Sequence, residues 1–194
     1  MISAEEFYAN SASDFRQRKV AEVYMEYEKR MRANNALDFD DLLVKTVQLL
    51  QTQPDILEYY QERFRYIMVD EYQDTNKAQY IILRRLAAAH GNLCVVGDDS
   101  QSIYAFRGAK IENILNFKKD YPHHNIFRLE QNYRSTQVIV NAANSVIERN
   151  SARIPKECYS RGEEGEKIRL ISAYTEQEEA LLIASSIVSR IQSD

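Results

Sequence analysis

Apolar side chains in the first third of the chain recur at helical spacing. Residues 14–33 are highly charged, and their apolar positions fall three or four residues apart, as on one face of an amphipathic helix. The next stretch continues this pattern with Asp38 as a predicted N-cap, and Pro54 predicts the start of another short helix. No stretch before Tyr66 is typical of a strand. The pattern predicts that residues 1–63 are all-helical.

The period of the pattern changes after this segment. Short runs rich in β-branched and aromatic residues now alternate with stretches of helical periodicity, which predicts a parallel sheet with crossover helices and an α/β fold. Tyr121 and Pro122 interrupt the pattern and mark a candidate domain boundary. The predicted strands are 66–69, 93–96, 125–129 and 167–172, and we expect the first of them to be buried. The predicted helices are about 76–89, 111–120, 136–149 and 176–191.

Composition narrows the class of protein. The 194 residues are 44% hydrophobic and 28% charged, as in ordinary globular domains, and the longest apolar runs are far too short to span a membrane. The net charge of −4 argues against coating of nucleic acid by bulk electrostatics but allows a local binding track. The two cysteines lack metal-ligand or redox spacing, which predicts a reduced, cytoplasmic setting with Cys94 in the core.

Polar residues follow each of the first three predicted strands, where ligands bind in open α/β sheets. Asp70 and Glu71 end the first strand, "GDDSQS" follows the second and "EQNYRS" follows the third. Asp70 suits a Mg²⁺ ligand, and Glu71 could orient or deprotonate an attacking water. A solvated pair of acids at a strand end is the plainer alternative.

The loops after the second and third strands add candidate binding residues. Gln101 could contact a γ-phosphate or the attacking water, and Arg134 could stabilise charge on a transferring phosphoryl group. Tyr104, Phe106 and Arg107 interleave aromatic rings with a cation, which suits base stacking and phosphate contact on a single nucleic-acid strand. Core packing is the commoner fate of a lone aromatic residue.

A glycine-rich phosphate loop is absent from these 194 residues. None of the five glycines begins a G-x-x-x-x-G-K-[ST] or G-x-G-x-x-G pattern. Without such a loop and its lysine, nothing in the chain neutralises the β- and γ-phosphates of a nucleotide. We therefore expect no appreciable ATPase activity from this chain alone.

Three long motifs carry a family resemblance. "VDEYQDTN", "VVGDDSQSIYAFRGA" and "LEQNYRST", in this order and at these separations, resemble the second, third and fourth motifs of superfamily-one DNA helicases of the UvrD/PcrA type. "LDFDDLL" and "FKKDYP" resemble the same family. The resemblance implies two RecA-like domains that enclose ATP and move single-stranded DNA 3′ to 5′.

The resemblance also implies roles for individual residues. Asp70 would bind Mg²⁺, Glu71 would be the catalytic base and Gln101 would sense the γ-phosphate of ATP. The family often has tryptophan where Phe106 stands, so stacking on DNA is expected to be weaker here. Tyr104, Phe106 and Arg107 would contact single-stranded DNA. In the second domain, Tyr133 would stack near adenine and Arg134 would act as the arginine finger.

The motifs that are missing predict how the chain is organised. The phosphate loop and the later motifs of the second domain are absent, so we expect an internal piece of a helicase that is inactive alone. The expected parts are the end of a helical insertion subdomain (1–63), the back half of the first RecA-like domain (64–121) and the opening of the second (122–194). The expected ligands of the intact enzyme are ATP, Mg²⁺ and single-stranded or 3′-tailed duplex DNA, with no membrane.

Three further expectations accompany this interpretation. The first RecA-like domain would lack its opening strand, so exposed apolar faces could drive self-association of the piece. A naturally truncated, non-catalytic module that binds single-stranded DNA or another partner is the main alternative function. A metal-dependent phosphohydrolase that uses only Asp70, Glu71, Asp98 and Asp99 is the weaker one.

Overall fold

The computed structural model describes residues 2–11 and 14–193 and divides into two compact units, Met1–His124 and Asn125–Asp194. The first unit begins with helices only and then becomes mixed, with two short strands. Its helices are α1 (Ala4–Asn10), α2 (Phe15–Ala33), α3 (Phe39–Thr52), α4 (Pro54–Arg63), α5 (Lys77–Ala87), α6 (Glu112–Leu115) and α7 (Phe117–Asp120), and its strands are β1 (Ile67–Val69) and β2 (Leu93–Val95).

Local capping chemistry explains where these helices begin. The Asp38 carboxylate accepts the Asp41 backbone N–H at 2.8 Å, and Asn76 caps α5 in a reciprocal capping box with Gln79. Pro54 occupies the first turn of α4, where its missing N–H costs nothing. The predicted N-cap and the all-helical segment before Tyr66 are confirmed.

The two strands of the first unit pair in parallel, with Ile67 opposite Leu93, and α5 forms the crossover between them. This arrangement confirms the prediction of an α/β fold with a parallel sheet and a crossover helix. The helices α3 and α4 pack against α5. Buried residues of this layer lie on the facing helices, at Val47, Leu50, Ala78 and Ala87.

The sheet is buried on one face only. Ile67 and Val69 are half-buried, whereas Met68 between them is 83% exposed, and Cys94 on β2 is exposed beside it. The predictions of a buried strand at 66–69 and of a core position for Cys94 are therefore wrong. The reason is the pleat, which sends alternate side chains to opposite faces, and described residues cover only one of those faces.

An aromatic cluster lies near the end of the first unit. The Phe117 ring stacks on Tyr121 at 4.6 Å between centroids and meets Tyr72 edge-on at 5.8 Å. Tyr72 is almost fully buried, and this burial raises the pKa of its phenol well above the usual value. Beside the cluster the Tyr80 hydroxyl donates to the Asp120 carboxylate at 2.8 Å. These contacts tie α5 to the end of the unit.

The second unit contains two very short strands and two helices in its described part. The strands β3 (Gln131–Asn132) and β4 (Tyr159–Ser160) pair in parallel, and α8 (Gln137–Ile147) packs against β4. The last helix is α9 (Glu176–Ser193), so both helices predicted for this region are confirmed.

The strands predicted at 125–129 and 167–172 are wrong, because neither stretch is a strand in the structure. A strand satisfies its backbone only by pairing with another segment, and no described segment pairs with either stretch. Their apolar side chains are exposed, as at Phe127 and Leu170. No helix in the described ranges combines the length and the apolar character needed to cross a bilayer.

Candidate active site

Asp70 and Glu71 follow β1 directly, at its carboxyl end. The Asp70 carboxylate accepts a hydrogen bond from the Glu71 backbone N–H at 2.9 Å. Glu71 lies in the left-handed region of backbone space, with φ of 48° and ψ of 42°. For a residue with a Cβ this conformation costs about 1–2 kcal/mol, so the surrounding contacts have to stabilise it. The chain turns sharply here and leaves both acidic side chains exposed.

Gln73 anchors this turn from the inside. It lies in a single 3₁₀ turn, Tyr72–Asp74, and its side chain is fully buried. Its amide Nε2 donates to the Glu71 carboxylate at 2.8 Å and to the Asp74 carboxylate at 3.1 Å. The exposed acid at the strand end is therefore held by a buried donor.

The end of β2 lies beside the same turn. The Val96 N–H donates to the Val69 carbonyl at 2.8 Å, and the Tyr72 N–H donates to the Val96 carbonyl at 2.9 Å. Gly97 follows, and a Cβ at this position would come within 2.6 Å of the Gln73 Oε1 atom. Only glycine lets the two chain segments approach this closely without a shift.

The loop after Gly97 is joined to this turn by hydrogen bonds. The Asp98 backbone N–H donates to the Gln73 Oε1 at 3.0 Å, and the Asp98 carboxylate accepts from the Gln101 Nε2 at 2.9 Å. A continuous chain of hydrogen bonds thus runs from Glu71 through Gln73 and Asp98 to Gln101. It connects the polar residues at the carboxyl ends of two adjacent parallel strands.

One exposed carboxylate at this edge is of the kind that magnesium ions use as a ligand. Mg²⁺ binds through one or two carboxylates together with water and phosphate oxygens, and Asp70 is an exposed carboxylate at a strand end. Two oxygens near the turn, Asp74 Oδ1 and Ser100 Oγ, are buried with no hydrogen-bond partner among the described residues. Unpaired buried polar atoms of this kind are rare in folded proteins. No cluster of three or more histidine, cysteine or acidic side chains suited to a metal occurs in the described ranges.

The aromatic loop, residues 104–107, is exposed, and its far end is bonded to the chain just after the acidic turn, residues 70–74. The Arg107 guanidinium carbon lies 5.4 Å from the Tyr104 ring centroid and 5.5 Å from that of Phe106, whose side chain is 78% exposed. The Lys110 N–H donates to the Thr75 carbonyl at 3.0 Å, which ties the end of this loop to the acidic turn. The two aromatic rings and the guanidinium are therefore exposed to solvent on a loop whose end is held by a hydrogen bond.

Tyr133 and Arg134 belong to the second unit. They form a bend after β3, in which the Asn132 side-chain oxygen accepts the backbone N–H of Arg134 at 2.9 Å and that of Ser135 at 2.8 Å. Both side chains are exposed, Tyr133 to 86%. The asparagine turn explains how two long side chains are presented before α8 begins.

The structure links two of the predicted site residues, Glu71 and Gln101, and sets Asp70 next to the first. The residues that sequence reasoning did not assign are Gln73 and Gly97, which join the two strand ends. Nothing in the spacing distinguishes a buried glutamine from an exposed one, but a glycine just after a strand does indicate a close backbone approach.

Comparison with known proteins identifies the family of the chain. The sequence profile of the UvrD/REP helicase N-terminal domain matches residues 2–122, more than half of the chain. The profile of the UvrD-like helicase C-terminal domain matches residues 127–194.

Curated proteins of the same kind are similar over most of the chain. The relative named ATP-dependent DNA helicase PcrA from Staphylococcus aureus is 53% identical over 177 residues, which is 91% of this chain and 24% of the relative. The protein of that name from Staphylococcus epidermidis is 51% identical over 182 residues, which is 94% of this chain and 25% of the relative. The chain thus spans about a quarter of the length of these relatives. The resemblance drawn from the motifs is confirmed, and the chain belongs to the UvrD-like helicase family.

Proposed function

We propose that this chain is the part of an ATP-dependent DNA helicase that activates water for ATP hydrolysis and contacts single-stranded DNA. The observation that carries the proposal is the hydrogen-bonded chain from Glu71 to Gln101 at the ends of two parallel strands. Membership of the helicase family supports it, as does the similarity to relatives named ATP-dependent DNA helicase PcrA. The polypeptide that performs the whole reaction would be longer than these 194 residues.

In this proposal Glu71 is the general base. Its carboxylate is exposed at the strand end and is held on one side by the Gln73 amide, so one oxygen is fixed and the other can accept a proton from an attacking water. Asp70, on the preceding residue, would hold Mg²⁺ through one carboxylate oxygen. Bound Mg²⁺ would supply neutralisation of the charge on the phosphate oxygens.

Three other residues would act on the nucleotide. Gln101 would contact the γ-phosphate, since its amide is already oriented by the Asp98 carboxylate. Arg134 would act as an arginine finger, because its exposed guanidinium can stabilise charge on the transferring phosphoryl group. Tyr133 would stack on adenine with its exposed ring.

Tyr104, Phe106 and Arg107 would contact single-stranded DNA. Exposed rings provide stacking surfaces for any base, worth about 1–3 kcal/mol per base, and the arginine adds attraction to phosphate. Phenylalanine offers a smaller surface than tryptophan, so stacking at Phe106 would be at the weak end of this range. We further propose movement in the 3′ to 5′ direction on single-stranded or 3′-tailed duplex DNA, in the cytoplasm.

We propose the division of the chain that the motifs imply. Residues 1–63 would end a helical insertion subdomain, residues 64–121 would form the back half of a first RecA-like domain and residues 122–194 would open a second. The 194-residue chain alone would not hydrolyse ATP, because it contains no glycine-rich phosphate loop with a lysine.

The experiment that tests this function uses the complete open reading frame that contains the chain. The purified protein is expected to hydrolyse ATP with Mg²⁺ and to do so much faster when single-stranded DNA is added. It should unwind duplexes with a 3′ tail and not those with a 5′ tail. An open reading frame that ends with this chain, or turnover that is indifferent to DNA, would contradict the proposal. Micromolar ATP affinity of the 194-residue chain in calorimetry would contradict its expected inactivity.

A further inference from the structure

Gln73 is a neutral side chain buried among charged groups. Its side chain is 1% exposed, and a buried primary amide costs free energy unless its donors and acceptor are all paired. Here both Nε2 hydrogens have a carboxylate acceptor, on Glu71 and Asp74, and Oε1 accepts the Asp98 N–H. The amide is therefore fully satisfied by contacts to three acidic residues.

This network fixes the direction of the amide. A backbone N–H can only donate, so the Asp98 N–H has to face the Gln73 oxygen rather than its nitrogen. The nitrogen is then turned toward the carboxylates of Glu71 and Asp74, which can only accept when ionised. A flipped amide would lose all three hydrogen bonds at once.

The position of the amide is fixed by packing as well as by hydrogen bonds. A Cβ at Gly97 would lie 2.6 Å from Gln73 Oε1, so the oxygen already occupies that space. The Ser102 hydroxyl donates to the Gln73 backbone carbonyl at 3.3 Å from the far end of the same loop. Both ends of the loop that carries Gln101 are thus attached to Gln73.

We propose that Gln73 is a positioning residue that sets the Glu71 carboxylate relative to the loop carrying Gln101. The inference rests on the proposed function, since it concerns the base and the phosphate-contacting amide of that reaction. Gln73 does not touch the reacting atoms. It acts by donating to the Glu71 carboxylate at 2.8 Å and by accepting from the loop at 3.0 Å, so that a shift at one strand end is passed to the other.

The first test is kinetic and uses the complete open reading frame. Gln73→Met keeps the length of the side chain and removes every amide contact. We expect kcat for DNA-stimulated ATP hydrolysis to fall about 10- to 100-fold, as when a residue that orients a reacting group is lost, with little change in KM for ATP. Gln48→Met makes the same chemical change at an exposed position of α3 and should leave both constants unchanged.

A double-mutant cycle separates positioning from a purely structural role. If Gln73 acts through Glu71, then Gln73→Met should cause no further loss of the residual turnover in a Glu71→Gln background. Losses that multiply in the double variant would assign Gln73 to the fold and overturn the proposal. An unchanged kcat in Gln73→Met, with kcat of Glu71→Gln strongly reduced, would overturn the proposal and leave the proposed function standing. Absence of DNA-stimulated turnover in the unmodified protein would overturn the proposed function itself.

A second variant covers the case in which Gln73→Met does not fold. Gln73→Glu keeps an acceptor for the Asp98 N–H but places a third carboxylate against Glu71 and Asp74, so kcat should again fall with KM preserved. Failure of both variants to fold would contradict the proposal.

A measurement without turnover can be made on the 194-residue chain. The side-chain amide resonances of Gln73 in a ¹⁵N spectrum should move on Glu71→Gln, and those of exposed glutamines should not. If the Gln73 resonances keep their chemical shifts in Glu71→Gln, the contact with Glu71 is absent.

Discussion

At the scale of single residues, the candidate site depends on how closely two strand ends approach. The Gln73 amide fills the space that a side chain at Gly97 would need, and it leaves Glu71 and Gln101 at the two ends of one network. A few hydrogen bonds therefore hold the acidic side chain of Glu71 in position. Substitutions that fill or empty the space between Gly97 and Gln73 should change both the free energy of unfolding and the rate of ATP hydrolysis.

Gly97→Ala is expected to destabilise the first unit. The new Cβ would meet the Gln73 Oε1 at 2.6 Å and the Tyr72 backbone nitrogen at 3.2 Å, and overpacking of this kind costs about 1–3 kcal/mol. Urea unfolding measures the loss. The matched control is Gly162→Ala, whose new Cβ would meet only the Ser160 hydroxyl, at the longer distance of 3.3 Å. Equal stability of the two variants would contradict the close approach at Gly97.

Tyr72 makes stability fall at alkaline pH. Burial raises the pKa of its phenol in the folded protein above the ordinary value of 10.0, so the unfolded chain loses the proton first. This contribution to stability is fully present below pH of about 10 and is lost as pH rises further. Tyr80 and Tyr121 add to the effect, since burial also raises the pKa of each.

Tyr72→Phe should therefore weaken the decline of unfolding free energy above pH of about 10 without removing it. Urea unfolding on both sides of that pH gives the slope. The same decline in both proteins would show that Tyr72 is not protected from ionisation.

At the scale of elements, helices and strands differ in how far the sequence could predict them. Helix hydrogen bonds are local, so the caps at Asp38 and Pro54 were enough to place α3 and α4. A strand depends on a neighbouring segment that the local pattern does not show. The strands predicted at 125–129 and 167–172 are wrong for this reason, although their residues are typical of strands.

The candidate site divides in the same way. Asp70 and Glu71 could be found because carboxylates at the end of a strand are visible in the sequence. The role of Gln73 could not, because it depends on burial and on a contact with Asp98 that lies 25 residues away. Long-range contacts of this kind exist only once the strands have paired.

The cap of α5 is predicted to stabilise the crossover between the two strands. Asn76 accepts the Gln79 N–H at 3.0 Å and receives the reciprocal bond from the Gln79 side chain at 2.9 Å. Asn76→Ala should cost about 1 kcal/mol of unfolding free energy in urea. Gln53 stands at the same position of α4 but makes no such side-chain bond, so Gln53→Ala should cost clearly less. Equal losses would mean that the capping box contributes nothing.

At the scale of the whole molecule, many large apolar side chains of the described residues are exposed. A group of them lies on the open face of the β1–β2 sheet, where Tyr66, Met68 and Val96 are exposed. Contiguous apolar surface of this kind is rare on monomeric proteins and favours association. When the 194-residue chain is studied alone, a second copy of the chain is the partner that can cover this sheet face.

We therefore predict that the isolated 194-residue chain self-associates through this sheet face. Its average mass in light scattering should rise with concentration, and Met68→Lys should reduce the rise by placing a charge on the face. Val23→Lys, on the exposed surface of α2, makes the same kind of change away from the sheet and should have no such effect. A single-chain mass at every concentration would contradict the prediction.

The most direct test of the central claim is the turnover of Glu71→Gln in the complete open reading frame. The substitution keeps the shape of the side chain and removes its ability to accept a proton, so DNA-stimulated ATP hydrolysis should be lost while affinity for single-stranded DNA is kept. Glu58→Gln, at an exposed position of α4, serves as the matched control and should hydrolyse ATP normally. Normal turnover in Glu71→Gln would contradict the assignment of Glu71 as the base.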